Sequence, residues 1–206
     1  MTAVGKVSSA AKVSSAGKVS PVGKVSPAGN QRHGERHSER HVERHTLPFD
    51  PIERAAQQWS QRWDEMPRMR AVTSLMRVHQ LVLTELDELL RPLGLTFARY
   101  EVLVLLSFSR RGALPLGKIG ERLQVHATSV TPLVKRLENA GLITRSPHPE
   151  DGRAVLASIT PRGREVTERA TELIVNARFA LGALDEGDCD RLTDLLTGPR
   201  TAAGDF

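Results

Sequence analysis

The chain has 206 residues, of which 39% are apolar and 26% charged, so it has the composition of a folded protein with one domain or one domain plus appendages. Its single cysteine excludes a disulfide framework and a zinc site built from cysteines within one chain. No apolar run reaches the roughly 18 to 20 residues of a membrane span. The polar, lysine-bearing start also lacks the apolar segment of a secretory signal. We therefore expect a cytoplasmic protein with no membrane partner.

The net charge of +5 is unevenly distributed along the chain. Residues 1–46 carry +5, and residues 47–206 are neutral as a whole. Within that neutral part, residues 96–164 hold two Lys and nine Arg against five acids, a charge of +6. The flanking residues 47–95 and 165–206 carry −1 and −5. A basic block between two acidic blocks indicates a polyanion-binding module, with chance clustering as the alternative.

The first 46 residues are repetitive. Residues 1–30 repeat Gly/Ala-Lys-Val-Ser with a period of six, and residues 32–45 repeat an Arg-His unit with a period of four. Neither repeat has enough large apolar groups to offset the entropy of ordering, so we expect residues 1–46 to be disordered. The histidines would share one face of a helix and offer a metal site, but a translated DNA repeat is the simpler interpretation, and we predict no metal. These histidines are His33, His37, His41 and His45.

Helical periodicity dominates the first half of residues 47–206. A short helix is predicted over 52–63, and a long one over 68–90 has apolar residues on a broad stripe. Thr96 is placed to cap a central helix over 97–107. A short helix over 116–123 and a turn lead into another helix that ends near Gly141. The stripe of the long helix consists of Leu75, Val78, Val82, Leu86 and Leu89, widened by Met76, Leu83 and Leu90.

The pattern changes after Gly141. Residues 142–146 and 154–159 are predicted strands, separated by turn-forming residues. Thr160 and the proline after it then begin a long helix over about 160–184, and a last helix covers about 186–197. Two short helices joined by a turn and followed by a two-stranded ribbon form a winged helix-turn-helix. The second helix is slender and polar at its start, as entry into a major groove requires.

Three stretches of the sequence resemble the MarR family of dimeric winged-helix transcriptional regulators. They are Leu116–Leu123, Leu133–Ile143, and the Asp151-Gly152-Arg153 turn followed by Thr160-Pro161-Arg162-Gly163. The resemblance covers residues 67–197. It implies a mainly α fold with a small β wing, in which a winged helix-turn-helix is combined with N- and C-terminal dimerisation helices.

The resemblance also implies roles in DNA binding. The recognition helix would read bases through Thr128, Ser129 and Thr131, with Lys135 and Arg136 in support. Arg145 would contact DNA from the ribbon, and Asp151 would hold Arg153, which enters the minor groove. Pro132 departs from the pattern, because it can kink the helix. If Thr131 is instead the N-cap and Pro132 the first helical residue, Thr128 and Ser129 lie in the turn.

Members of this family usually respond to small, often aromatic anions. The extra N-terminal helix is similar to that of a branch which senses urate or related purine anions, and Trp59, Glu101 and Arg145 occupy three of that branch's ligand positions. Leu133 stands where the branch has a fourth ligand residue, an arginine. Packing of the added helix onto the dimer is the alternative role for Trp59.

The sequence therefore predicts a homodimeric regulator, acting as a repressor, which a small anionic aromatic ligand releases from a palindromic operator in double-stranded DNA. It predicts no enzyme and no cofactor, because phosphate loops, nucleophile elbows and dinucleotide turns are absent. The alternative is an architectural protein that binds DNA of any sequence through its basic tail. The expected parts are a tail (1–46), an extra helix (47–66), a dimerisation helix (67–95), the DNA-binding domain (96–161), C-terminal dimerisation helices (162–197) and a disordered end (198–206).

Overall fold

The computed structural model describes residues 46–149 and 154–206. The predicted tail, with its four histidines, and the wing residues Asp151 and Arg153 lie outside the described residues. The part that is described is mainly helical with one small sheet, which confirms the predicted fold class. Its elements in chain order are α1 (Pro51–Trp59), α2 (Met66–Leu90), α3 (Phe97–Phe108), β1 (Ala113–Pro115), α4 (Leu116–Leu123), α5 (Ala127–Asn139), β2 (Ile143–Pro147), β3 (Val155–Ile159), α6 (Pro161–Asn176) and α7 (Glu186–Ala202).

The three strands form one antiparallel sheet in the order β1-β3-β2. Ile143 on β2 pairs with Ile159 on β3, and the ladder runs outward to the Pro147–Val155 pair. On the other edge of β3, Ala113 of β1 pairs with Ser158. The sequence did not predict β1, because three residues that end in proline carry too little alternation to indicate a strand. Through the pairing of β1 with β3, the sheet connects the segment before α4 to the base of the wing.

The predicted single helix over 160–184 is wrong. Helix α6 ends at Asn176, and Arg178, Phe179 and Ala180 follow with φ values of 50°, 52° and 58°. Left-handed backbone is unfavourable for residues with a Cβ, so a helix cannot continue through three of them. Because the apolar spacing continues across this turn, helical periodicity could not indicate where the helix breaks.

The end of the chain also differs from the prediction. The segment 198–206 was expected to be disordered, but α7 continues to Ala202, past Pro199. Arg200 then pairs with Asp205 at 2.6 Å, and its guanidinium lies 4.9 Å from the centre of the Phe206 ring. These contacts fold the last residues back onto the end of α7.

Polar side chains accept hydrogen bonds from backbone amides at the starts of α3 and α6. Thr160 Oγ1 accepts a hydrogen bond from the Gly163 amide at 3.0 Å and donates to the Gly141 carbonyl at 2.9 Å, so the predicted cap at Thr160 is confirmed. Thr96 occupies the N-cap position of α3, but its side chain makes no capping hydrogen bond. The carboxylate of Asp87 accepts from the first amide of α3, that of Phe97, at 2.7 Å. The end of α2 thereby fixes the start of α3.

The core lies where α3 crosses the helix-turn-helix and α6. Its largest fully buried side chains come from α2, α3, α4, α5, β2 and α6. The apolar stripe predicted on α2 divides in two: Leu86 and Leu90 are buried, whereas Leu75 and Val78 are 43% and 45% exposed. The C-terminal half of α2 therefore belongs to the core, and its N-terminal half presents apolar side chains to solvent.

Across residues 46–149 and 154–206, no helix has the length and apolar character needed to cross a membrane. The same residues contain no group of three or more His, Cys, Asp or Glu side chains placed to hold a metal ion.

Candidate nucleic-acid interface

Helix α5 is the element on which the predicted base-reading residues lie. It begins at Ala127, five residues before Pro132, so the alternative start at Thr131 is wrong. The N-cap is His126, whose Nδ1 accepts a hydrogen bond from the Thr128 amide at 3.3 Å and lies 2.9 Å from the Thr128 hydroxyl. Pro132 lies inside the helix and has no N–H to donate to the Thr128 carbonyl four residues earlier. Thr128 and Ser129 are thus helical residues.

The two sides of α5 have opposite character. Val130, Val134 and Leu137 recur at helical spacing and are at most 1% exposed, so they fix the helix onto the core. The exposed positions include short hydroxyl side chains at the start of the helix and two cations in its second half. All five residues predicted to face DNA on this helix are exposed, namely Thr128, Ser129, Thr131, Lys135 and Arg136.

The turn between α4 and α5 sets the angle at which α5 leaves the core. Gln124 ends α4 in a left-handed conformation with φ of 52°, and the Val125 amide donates back to the Gly120 carbonyl at 3.1 Å. A Cβ at Gly120 would lie 3.1 Å from the Val125 carbonyl oxygen, so a small residue suits this close approach. The turn therefore packs tightly enough to hold α4 and α5 as one helix-turn-helix unit.

The wing begins at β2, and its Arg145 is joined to the recognition helix. Nε and Nη2 of Arg145 lie 2.8 Å and 2.5 Å from Oε2 of Glu138, in the last turn of α5. The hydrogen bond from Arg145 lowers the pKa of Glu138, and Lys135 lowers it further through its charge. The same hydrogen bond raises the pKa of Arg145. Both groups therefore stay ionised at neutral pH, and the pair connects helix and wing.

Comparison with known proteins identifies this arrangement. The family model described as MarR matches residues 95–155, from just before α3 to the start of β3. The crystal structure of Sco5413, a MarR family transcriptional regulator from Streptomyces coelicolor, is 52% identical in sequence. It aligns over 68% of this chain and 97% of its own, with a TM-score of 0.64. The chain belongs to the MarR family.

Two curated relatives agree with this assignment. The HTH-type transcriptional repressor IacR of Pseudomonas putida is 30% identical over 59% of this chain and 72% of its own length. The organic hydroperoxide resistance transcriptional regulator of Bacillus subtilis is 39% identical over 41% of this chain. The match spans 56% of that Bacillus protein. As a member of the MarR family, this chain is a transcriptional regulator. The helix-turn-helix of α4 and α5, together with the wing that begins at β2, is its winged-helix module.

The three predicted ligand residues of this MarR protein lie on different elements. Trp59 ends α1, where its ring centre lies 4.9 Å from that of Trp63 and its Nε1 donates to the Asp64 carbonyl at 2.8 Å. Glu101 lies on α3, where partial burial raises its pKa. The groove at Trp59 is lined by residues between Ala55 and Trp63 alone, so it brings Trp59 together with neither Glu101 nor Arg145.

Sequence reasoning missed two features of the site. The sequence predicts for His126 a packing or hydrogen-bonding role, with a pocket or a metal site as the alternative, and it does not predict the N-cap, because histidine is not among the preferred N-cap residues. The second is a cleft of about 520 Å³ between α3 and α6, where Tyr100 Oη lies 3.0 Å from Thr171 Oγ1. Thr167 and Thr171 are spaced by four residues on the α3-facing side of α6, and this spacing was the only signal of a polar strip there.

Proposed function

We propose that this MarR-family protein is a homodimeric, sequence-specific DNA-binding repressor whose affinity for a palindromic operator falls when a small anionic aromatic ligand binds. The observation that carries the proposal is the exposed polar face of α5 beside the cationic start of the wing. Residues 96–164, which contain both, carry a net charge of +6. Such a surface suits the phosphates and base edges of a major groove.

Base reading is assigned to the start of α5 and phosphate binding to its second half. Thr128, Ser129 and Thr131 have short side chains, which let the helix approach base edges closely. Lys135 and Arg136 lie one turn later, with reach enough for phosphates or for guanine. For Asp151 and Arg153, which lie outside the described residues, the proposal keeps the roles that the family resemblance implies: Asp151 would hold Arg153, and Arg153 would enter the minor groove.

The homodimer is proposed from the apolar groups that the outer helices expose. The N-terminal half of α2 and the C-terminal helices carry large apolar side chains in solvent, more than a lone chain of this kind needs. A second copy would cover them and place two recognition helices in successive major grooves, about 34 Å apart. The exposed residues are Val72, Leu75, Met76, Val78, Leu81, Val175, Phe179 and Leu195.

The ligand class is proposed from the groove at the end of α1. Trp59 and Trp63 supply aromatic surface there, and Arg62 supplies a positive charge. Glu101 and Arg145 remain proposed ligand residues on α3 and β2. A ligand that lowers DNA affinity tenfold must favour the non-binding conformation by about 1.4 kcal/mol.

The test measures binding of the purified protein to the DNA upstream of its own gene and to a random duplex, at two salt concentrations. The experiment is repeated after deletion of residues 1–46. We expect the upstream fragment to bind roughly a thousandfold more tightly, with or without those residues. Equal binding of both duplexes, lost on deletion, would contradict the proposal and favour an architectural protein that uses its basic tail.

A further inference from the structure

The ion pair between Glu138 and Arg145 spans the junction of recognition helix and wing. Glu138 is the last residue but one of α5, and Arg145 is the third residue of β2. One carboxylate oxygen, Oε2, receives both Nε and Nη2 of the arginine, at 2.8 Å and 2.5 Å. The two side chains are 32% and 33% exposed, so the pair is partly shielded from water.

The geometry of this pair leaves one edge of Arg145 turned away from Glu138. A guanidinium is planar and has five N–H donors arranged along distinct edges. Contact through Nε and Nη2 uses the side edge. The end edge, formed by Nη1 and the second hydrogen of Nη2, points away from the carboxylate. That edge has the spacing for two parallel hydrogen bonds to one phosphate.

A carboxylate in this position is unfavourable for DNA binding on charge alone. Glu138 follows Lys135 by one turn on the helix, within a segment of net charge +6. An acid there repels phosphates and offsets part of the attraction. Glu138 favours DNA binding only if its effect on Arg145 raises the affinity by more than the repulsion of phosphates lowers it.

We propose that Glu138 is a positioning residue for DNA binding, which holds Arg145 so that its end edge binds one phosphate of the operator backbone. This inference rests on the proposed DNA-binding function. Without the ion pair, the Arg145 side chain would lose rotamer freedom when it binds a phosphate. In the pair with Glu138 that freedom is already lost before DNA binds. Because the pair joins α5 to β2, it also fixes the phosphate contact relative to the base-reading helix.

The decisive variant is Glu138→Gln, tested in the full-length protein on the upstream fragment. Removal of a negative charge from the DNA face would tighten binding if electrostatics alone mattered. If Glu138 positions Arg145, the substitution should instead weaken DNA binding. We expect the affinity to fall about fivefold, because Arg145 keeps its charge but loses its orientation. The matched control is Glu121→Gln, because Glu121 forms its ion pair with Lys118 on its own helix, α4, and not with Arg145. We expect the control to bind as well as the wild type or slightly better.

A double-mutant cycle separates positioning from a general loss of structure. Arg145→Lys keeps the charge but cannot bind the carboxylate and a phosphate through two edges. If Glu138 acts through Arg145, adding Glu138→Gln to Arg145→Lys should cost almost nothing further. Additive losses in the cycle, or a Glu138→Gln protein that binds as tightly as the wild type or more tightly, would overturn the inference.

Thermal unfolding of each variant establishes that it is folded before its binding is compared. The wild-type protein in the same assay tests the proposed function independently. If the wild type does not prefer the upstream fragment, the proposed function fails and the inference fails with it. If the wild type prefers that fragment and Glu138→Gln does not weaken binding, only the inference fails.

Discussion

The winged-helix module and the outer helices differ in how completely one chain buries their apolar side chains. In the module, Leu103, Ile119 and Val134 are fully buried. In the outer helices, Val72 is 58% exposed and Leu195 is 75% exposed. None of the residues of α7, all of which are described, is buried. The contrast shows that one chain buries the core of the winged-helix module by itself, whereas the outer helices leave large apolar side chains exposed.

Charges on the outer face of α2 should separate the proposed dimer. We expect the double variant Leu75→Glu with Val78→Glu to raise the dimer dissociation constant at least about 100-fold, or about 2.7 kcal/mol, because two charges would be buried in an apolar contact. Sedimentation equilibrium measures this change. Gln80→Glu adds a charge at another exposed position of α2 and serves as the control. A double variant that remains dimeric would place the interface elsewhere.

The junction between the two regions can be tested at a glycine. A Cβ at Gly163, in the first turn of α6, would lie 2.1 Å from the Leu142 carbonyl oxygen and 2.8 Å from Ile159 Cγ1. We expect Gly163→Ala to lower the free energy of unfolding by about 2 kcal/mol, because backbone must shift. Gly117→Ala on α4 is the matched variant, since no atom lies within 4 Å of its Cβ. It should be neutral or stabilising by up to about 1 kcal/mol. Urea unfolding of both proteins measures the difference, and equal midpoints would contradict the close packing at Gly163.

The sequence predicted the module better than the outer helices, for physical reasons. The bounds of α4 and the cap at Thr160 follow from local spacing and from side chains that act on their own backbone. The left-handed turn at 178–180 does not, because no glycine or proline marks it and the apolar spacing runs through it. Helical periodicity also could not separate the buried and exposed halves of α2, since that division depends on which elements pack against it.

The candidate site shows the same limit. The exposed face of α5 follows from periodicity, because Val130, Val134 and Leu137 must face the core. The pairing of Glu138 with Arg145 joins residues seven apart across a change from helix to strand, and no repeat in the sequence indicates it. The grouping of Trp59, Glu101 and Arg145 came from resemblance alone, and it remains a prediction.

The smallest expected effect concerns Glu101, an acid of the module whose pKa is raised by burial. Desolvation lifts the pKa of Glu101 on α3, so the folded protein holds that proton more tightly than the unfolded chain. Above the raised pKa, the desolvated carboxylate lowers stability. This penalty shrinks as the pH falls through the raised pKa, and it is lost about one pH unit below the unfolded value of about 4.3. At pH 7.5 we therefore expect Glu101→Gln to raise the melting temperature by about 1 to 3 °C.

The same substitution at pH 3 should leave the melting temperature almost unchanged, because Glu101 is then almost fully protonated in both the folded and the unfolded state. Thermal unfolding gives the difference in melting temperature between variant and wild type at each pH. Comparing these two differences removes any general effect of acid on stability, since acid acts on both proteins. A variant less stable than the wild type at pH 7.5 would mean that the carboxylate makes favourable contacts which outweigh its desolvation. The polar contacts of the module would then compensate for the partial burial of Glu101, and the contrast with the exposed apolar side chains of the outer helices would be larger.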